Sequence, residues 1–339
     1  MTIAKSFSKK KARSSVGSRK AAWAWSKFWQ DDNLSACTAD DDTTDGTLLR
    51  EWKSFFALLN NQASVLDMGT GNGALAAIAV AFAQREGFAF DIHGCDLAGI
   101  EPRTYVKSRV KDLVDITFHA ETPMESLPFA DEVFNAVCGQ YALEYSDTTR
   151  SVPELMRVLR SGGQLQFLLH STDGALHLRN KLQWQQAQIL LKSSLLPGTR
   201  KMLAAVVEGE SVSNAATLEE GVQAITGLRK TMDQLAQALS KEADLTLPEN
   251  VFSAIRRLAP MRHSYELPQL LSLVDDIEER LQAQSARLLA MLDATLDANA
   301  LQRLSAQFVS LGASHVRTRP ALAGSHETRV GYWLTATKL

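Results

Sequence analysis

The sequence predicts an α/β fold in which short turns join apolar strands to helices, and three of its features carry that prediction. Stretches of strand and helix composition alternate across residues 63–170. A turn with three alternating glycines, Gly69, Gly71 and Gly73, links the strand-like run Ala63–Met68 to the apolar helical run Ala74–Ala83. Beyond residue 170 the alternation stops for a long helical stretch and resumes near residue 300.

In chain order, residues 1–20 hold seven Lys or Arg and no acid, so a basic, disordered tail is expected there. Residues 21–30 (AAWAWSKFWQ) gather three of the six tryptophans in a helical stretch that can serve as a hydrophobic anchor. Asp40–Thr47 reads as a polar linker, and Leu48–Leu59 has the spacing of a helix preceding the first strand. At the glycine turn the backbone can bend tightly and a ligand can approach without meeting a Cβ. The helix that follows would direct free N–H groups and its positive dipole end at an anionic group. Asp67 precedes the first glycine by two residues, and the second strand, Ala89–Leu97, carries Asp96, 29 positions after Asp67.

Between residues 175 and 298 the pattern is almost purely helical. Leu218, Val222, Ile225, Leu228, Met232, Leu235 and Leu239 form one apolar stripe, and Leu270, Val274, Ile277, Leu281, Leu288 and Met291 form another of near-heptad spacing. Each stripe needs a partner surface, either within a small bundle or across a homodimer seam. Leu301–Leu311 then reads as a last helix, Ser314–Leu322 as a sixth strand and Thr328–Lys338 as a seventh, antiparallel one.

Composition narrows the functional classes. Hydrophobic content of 45% and charged content of 22% are those of a soluble globular chain. The longest apolar run, Ala74–Ala83, is ten residues, against the ~20 that cross a bilayer. The basic start has no apolar stretch behind it, so no secretory signal is expected and a cytoplasmic location is. Outside residues 1–20 there are 29 basic against 38 acidic residues, which disfavours an extended nucleic-acid footprint. Cys37, Cys95 and Cys138 lack metal-ligand spacing and read as apolar fillers, so no metal site is expected.

The run Val65-Leu66-Asp67-Met68-Gly69-Thr70-Gly71-Asn72-Gly73 resembles motif I of the class I S-adenosylmethionine-dependent methyltransferases, being G-x-G-x-G rather than the dinucleotide pattern G-x-G-x-x-G. Residues 119–137, with Leu127-Pro128-Phe129, are similar to that family's acidic turn, L-P-F signature and fourth strand. Residues 154–165 are similar to its next helix, glycine turn and fifth strand. Two positions depart from the pattern: Pro123 stands where relatives place an adenine-binding Asp, and Asn135 where they have an Asp in the fourth strand. Glu121, Glu125 or backbone near Met124 would then supply the adenine contact.

The resemblance implies a Rossmann-like, seven-stranded methyltransferase sheet with its last strand antiparallel and a large inserted helical subdomain. It implies a basic tail at 1–20, an aromatic N-terminal lid segment at 21–47, a cofactor-binding core at 48–174, a helical insertion at 175–298 and the rest of the core at 299–339. It implies S-adenosyl-L-methionine as cofactor, leaving as S-adenosyl-L-homocysteine, on Asp67, Gly69, Thr70, Gly71, Asn72, Gly73, Asp96, Leu97, Met124, Glu125 and Gln140, with Asp96 on the ribose hydroxyls. Trp25, Trp29 and Tyr141 would line the site of a small-molecule methyl acceptor under the insertion. His170, at the end of the fifth strand, is the candidate general base or else a structurally bonded histidine. The expected activity is methyl transfer to O, N or C of a small biosynthetic metabolite. The alternatives are an RNA or protein methyltransferase, for which the basic tail speaks, and a cofactor-binding scaffold without turnover.

Overall fold

The computed structural model describes residues 20–36, 46–211, 215–239, 244–324 and 327–339. The expected basic tail up to residue 19, Cys37 and most of the linker before Thr47 lie outside the described residues. The chain divides into two units, residues 1–178 with 290–339, and residues 179–289.

The first unit is built on a seven-stranded sheet of order β3-β2-β1-β4-β5-β7-β6. Its strands are β1 (Ser64–Met68), β2 (Asp91–Cys95), β3 (Ile116–His119), β4 (Phe134–Gln140), β5 (Leu159–Leu169), β6 (Ala313–Ala323) and β7 (Thr328–Lys338). Strands β1 to β5 pair in parallel, and β7 runs antiparallel between β5 and β6. The expected seven strands and antiparallel last strand are thus present, with β7 at its predicted bounds.

Both faces of the sheet are covered, which is why its central strands are apolar on both sides. On one face α2 (Thr47–Phe56) and α3 (Ala74–Glu86) pack against Val65, Ala136, Leu168 and Trp333. On the other, α5 (Thr148–Val158) and α11 (Ala298–Ser310) cover Leu66, Met68, Val137 and Phe167. A helix over residues 20–29, α1, precedes these, and a single helical turn, α4 (Pro102–Tyr105), leads towards β3. Because side chains alternate along β1, Asp67 shares the face of Val65, beneath the start of α3.

Polar residues fix the segments that lead into the strands. Asn135, the uncharged departure in β4, accepts the Ser64 N–H at 3.0 Å and so anchors the first residue of β1. Arg157 of α5 explains the Leu127-Pro128-Phe129 segment. Its guanidinium donates to the carbonyls of Phe129 (2.7 Å) and Leu127 (3.1 Å), while its partner Glu154 accepts the Leu127 N–H at 2.8 Å. Cys95 and Cys138 are buried free thiols, and burial pushes Cys95 up to about 12, as befits a packing residue.

The second unit is a helical bundle drawn from α6 (Ala175–Lys192), α7 (Leu195–Ser211), α8 (Ala215–Leu239), α9 (Thr246–Met261) and α10 (Leu267–Ala294). Its core holds Leu190, Leu203, Met232, Phe252, Ile255, Leu270, Val274 and Leu281. Asp244 ties the connection before α9 to α6 by accepting from Gln183 (2.8 Å) and Arg179 (3.1 Å), and it is held down at about 2 by hydrogen bonds that outweigh its burial. The α10 stripe is buried as predicted at Leu270, Val274, Leu281, Leu288 and Met291. The α8 stripe is not: Leu228 and Met232 are buried, whereas Val222 is 62% and Ile225 41% exposed. Among the described residues the α8 stripe is thus covered in part, since helical period defines a face but not the length over which a neighbour covers it.

Replacing Arg157 with Ala removes three carbonyl- and carboxylate-directed bonds from the 127–131 segment. A loss of roughly 1–3 kcal/mol is expected by urea denaturation, and an unchanged midpoint would show that the segment holds itself.

Candidate functional site

The glycine turn between β1 and α3 has left-handed backbone at all three glycines, with φ of 64° at Gly69, 53° at Gly71 and 89° at Gly73. A side chain is excluded at Gly71 twice over, because an added Cβ would also lie 2.3 Å from the Trp29 indole. Four short bonds hold the turn. Thr70 donates its N–H to Cys95 O (2.9 Å) and its hydroxyl to Asp67 (2.7 Å), Gly73 N–H reaches Thr70 O (2.8 Å), and Gly71 N–H reaches Asp96 Oδ2 (2.8 Å).

Asp67 is 1% exposed, and its partners are Thr70 and the Ala76 N–H in the first turn of α3. It therefore supports the turn from beneath and caps a helix whose own N-cap, Gly73, has no side chain to do so. Burial raises its carboxyl to about 7 against the ordinary 3.8, with Asp96 adding to the rise. Asp96 is itself raised by burial, against the bonds it accepts from the N–H groups of Ala98 (2.8 Å) and Gly71. Its carboxylate thus joins the glycine turn to the loop after β2.

The next loop closes the same edge. Thr122 N–H bonds to Asp96 O at 2.8 Å, Glu121 adopts a positive φ of 51°, and the Met124 methyl approaches the Cβ position of Gly69 at 3.5 Å. Leu97 is 44% exposed beside Asp96. Two of the sequence-chosen residues turn to structural partners. Glu125 accepts the Asp147 N–H at 2.8 Å, before α5, and Gln140 accepts the Trp52 indole N–H at 2.8 Å.

The aromatic stretch forms α1 and lies against the turn. Trp29, 7% exposed, packs with Ala98 and Ile100, while Trp25 stacks on Trp29 with centroids 5.8 Å apart and meets Tyr145 edge-on at 6.0 Å. Tyr145 in turn meets His170 edge-on, and Tyr141, at a positive φ of 56°, overlies His170 at 4.2 Å. A continuous row of rings thereby connects the glycine turn to the end of β5. His170 is 1% exposed, and Glu144 Oε1 bonds both its Nδ1 (2.8 Å) and its backbone N–H (2.7 Å). Sequence reasoning found His170 but missed Glu144 as its partner. The available signal was an acidic residue just past β4, next to the end of a parallel neighbour.

Asp67, Gly69, Thr70, Gly71, Asn72, Gly73, Asp96, Leu97 and Met124 are therefore assembled around one turn, with Trp25, Trp29, Tyr141 and His170 along the adjoining row. His177 bonds Thr295 at 3.2 Å, and His263 belongs to the helical unit. Among the described residues no cluster of three or more His, Cys, Asp or Glu could hold a metal ion, and no helix is long and apolar enough to cross a membrane.

A sheet of this order, parallel but for β7, with a glycine turn after β1 and an acidic residue after β2, is the arrangement that the resemblance to class I methyltransferases implies. Residues 66–167 match the family model described as a methyltransferase domain. No curated protein matches at a significant level. Among solved structures, a Methanococcus maripaludis protein described as an S-adenosyl-L-methionine-dependent methyltransferase is 12% identical over 86% of this chain and 83% of its own, with a TM-score of 0.39. The YcgJ protein from Bacillus subtilis is 20% identical over 42% of this chain, with a TM-score of 0.31, and the chain spans 59% of its length. Geranyl diphosphate C-methyltransferase from Streptomyces coelicolor is 17% identical over 38% of this chain and 46% of its own, with a TM-score of 0.32.

Because folding raises Asp67 from 3.8 to about 7, the native state holds that proton more tightly than the unfolded chain does. Its stabilising effect is full below about pH 4 and is lost as pH rises through about 7, on the order of 2–4 kcal/mol in all. The urea midpoint is expected to fall between about pH 5 and pH 8. Asp67→Asn, which keeps an oxygen for Thr70 and Ala76, is expected to flatten that slope; equal slopes would assign the titration to another group.

Proposed function

We propose that the chain is an S-adenosylmethionine-dependent methyltransferase acting on an O, N or C atom of a small biosynthetic metabolite. The observation that carries this reading is the left-handed glycine turn braced by Asp96 inside a methyltransferase domain. The fit of a nucleotide cofactor rests on two features of this chain: a carboxylate adjacent to the glycine turn, and an Asn72 Oδ1 that is buried without a hydrogen-bond partner. When bound, S-adenosylmethionine would supply an electrophilic methyl group, leaving as S-adenosylhomocysteine.

The roles of the residues follow from their chemistry. Gly69 to Gly73 would hold the amino-acid end of the cofactor, and Asp96, using the lone pairs its two backbone bonds leave over, would accept the ribose hydroxyls. Leu97 and Met124 offer apolar surface for the adenine, with Glu121 or Glu125 or nearby backbone for its amino group. Tyr141 would exclude water and orient the acceptor, which is where much of the acceleration of an in-line displacement originates. Glu144 fixes His170, because one of its oxygens accepts both the backbone N–H and Nδ1–H of the histidine. A hydroxyl or ammonium acceptor would lose its proton there, and Glu144 would stabilise the imidazolium formed. The basic residues of the 1–20 segment favour the second reading, a macromolecular acceptor; the acidic body supports the small molecule.

Asp96→Asn is expected to weaken S-adenosylhomocysteine binding at least about tenfold by calorimetry, in line with loss of one charge-assisted bond. An unchanged Kd removes the ribose assignment. With an acceptor identified by a mass-shift screen of metabolites, His170→Asn is expected to lower kcat while cofactor affinity stays within about twofold. A wild-type kcat would take His170 out of the reaction.

A further inference from the structure

The space that Gly71 leaves open is claimed by the chain itself. The Cζ2, Cη2 and Cε2 atoms of Trp29 lie 2.3, 2.5 and 2.7 Å from the position a Cβ would take on Gly71. Asn72, fully buried, donates its side-chain amide to two carbonyls of the same N-terminal stretch, Trp29 O at 2.9 Å and Asn33 O at 2.7 Å. Asn33 closes that stretch on itself by donating to Phe28 O at 3.2 Å. On the other side Ser26 Oγ accepts the Gly99 N–H at 2.9 Å, and the Trp29 ring packs on Ala98 and Ile100. One short segment therefore grips both the glycine turn and the loop carrying Asp96.

We propose that residues 20–36 form a latch that competes with the cofactor for the open face of the glycine turn, with Asn72 as its catch. The inference rests on the functional reading above. A ligand resting against Gly71 and the Trp29 indole cannot share the volume described, so binding requires the latch to swing off. The latch is suited to release. Closing it leaves the Asn72 Oδ1 buried with no hydrogen-bond partner, a penalty that opening removes. Once open, Asn72 exchanges two chain carbonyls for the polar groups of the ligand. The competent fraction of the protein then sets the apparent affinity, and weakening the latch raises that fraction.

The test uses the full-length chain and S-adenosylhomocysteine as probe, with calorimetry for affinity and amide hydrogen exchange for residues 20–36. Trp29→Ala removes the competing ring, and Ser26→Ala loosens the latch at a residue outside the glycine turn. Both are expected to lower Kd by about threefold or more by enlarging the competent fraction, and saturating probe is expected to speed exchange across residues 20–36. Weaker binding in Trp29→Ala together with slower exchange on addition of probe would overturn the proposal, because the segment would then close over the ligand as a lid. Unchanged affinity in both folded variants would overturn it too, while leaving the cofactor assignment standing. Failure of wild type and variants alike to bind would instead remove the cofactor reading, and the latch with it.

Discussion

Asp96 binds the Gly71 N–H and the Ala98 N–H through separate oxygens, and so ties the end of β1 to the end of β2 at the sheet edge. Every other feature of the site is arranged around that brace. Asp67 props the turn from below, the Thr70 N–H fastens it to Cys95, and Thr122 hangs the next loop from the Asp96 carbonyl. The carboxylates are confined by this work: burial lifts both, and their proximity lifts Asp67 further. A turn with left-handed backbone at three positions is strained for most residues, and it persists where the surroundings over-determine it.

The same brace organises the row of rings beside the turn. The row of rings from Trp29 through Trp25 and Tyr145 to His170 and Tyr141 starts on the turn and ends on β5, so the position of the Glu144–His170 pair is referenced to the glycine turn through packed side chains. A histidine bonded this way keeps its orientation without depending on solvent.

Much of this was legible in the sequence, for identifiable reasons. The glycine spacing with its apolar flanks marks β1, the turn and α3 because these are local signals, and β7 reads clearly from its β-branched and aromatic residues. What the sequence hid are contacts between distant positions. Glu144 meets His170 across 26 residues, Asn72 meets Trp29 across 43, and Gln140 turns to Trp52 across 88. Asn135 looked like a lost charge until its bond to Ser64 N–H gave the amide oxygen a task. In α8 the period was right, but Val222 and Ile225 lack the neighbour that covers Met232, and periodicity carries no information about neighbours.

The strand order also bears on how the nascent chain assembles. β5 ends at Leu169, yet its second neighbour is β7, which begins at Thr328, so one edge of β5 stays unpaired through synthesis of everything between them. An open, apolar strand edge is a template for wrong pairings. Between them the described elements from Ala175 to Ser310 are helices, which form through local contacts and offer little extended backbone to that waiting edge until β6 is made.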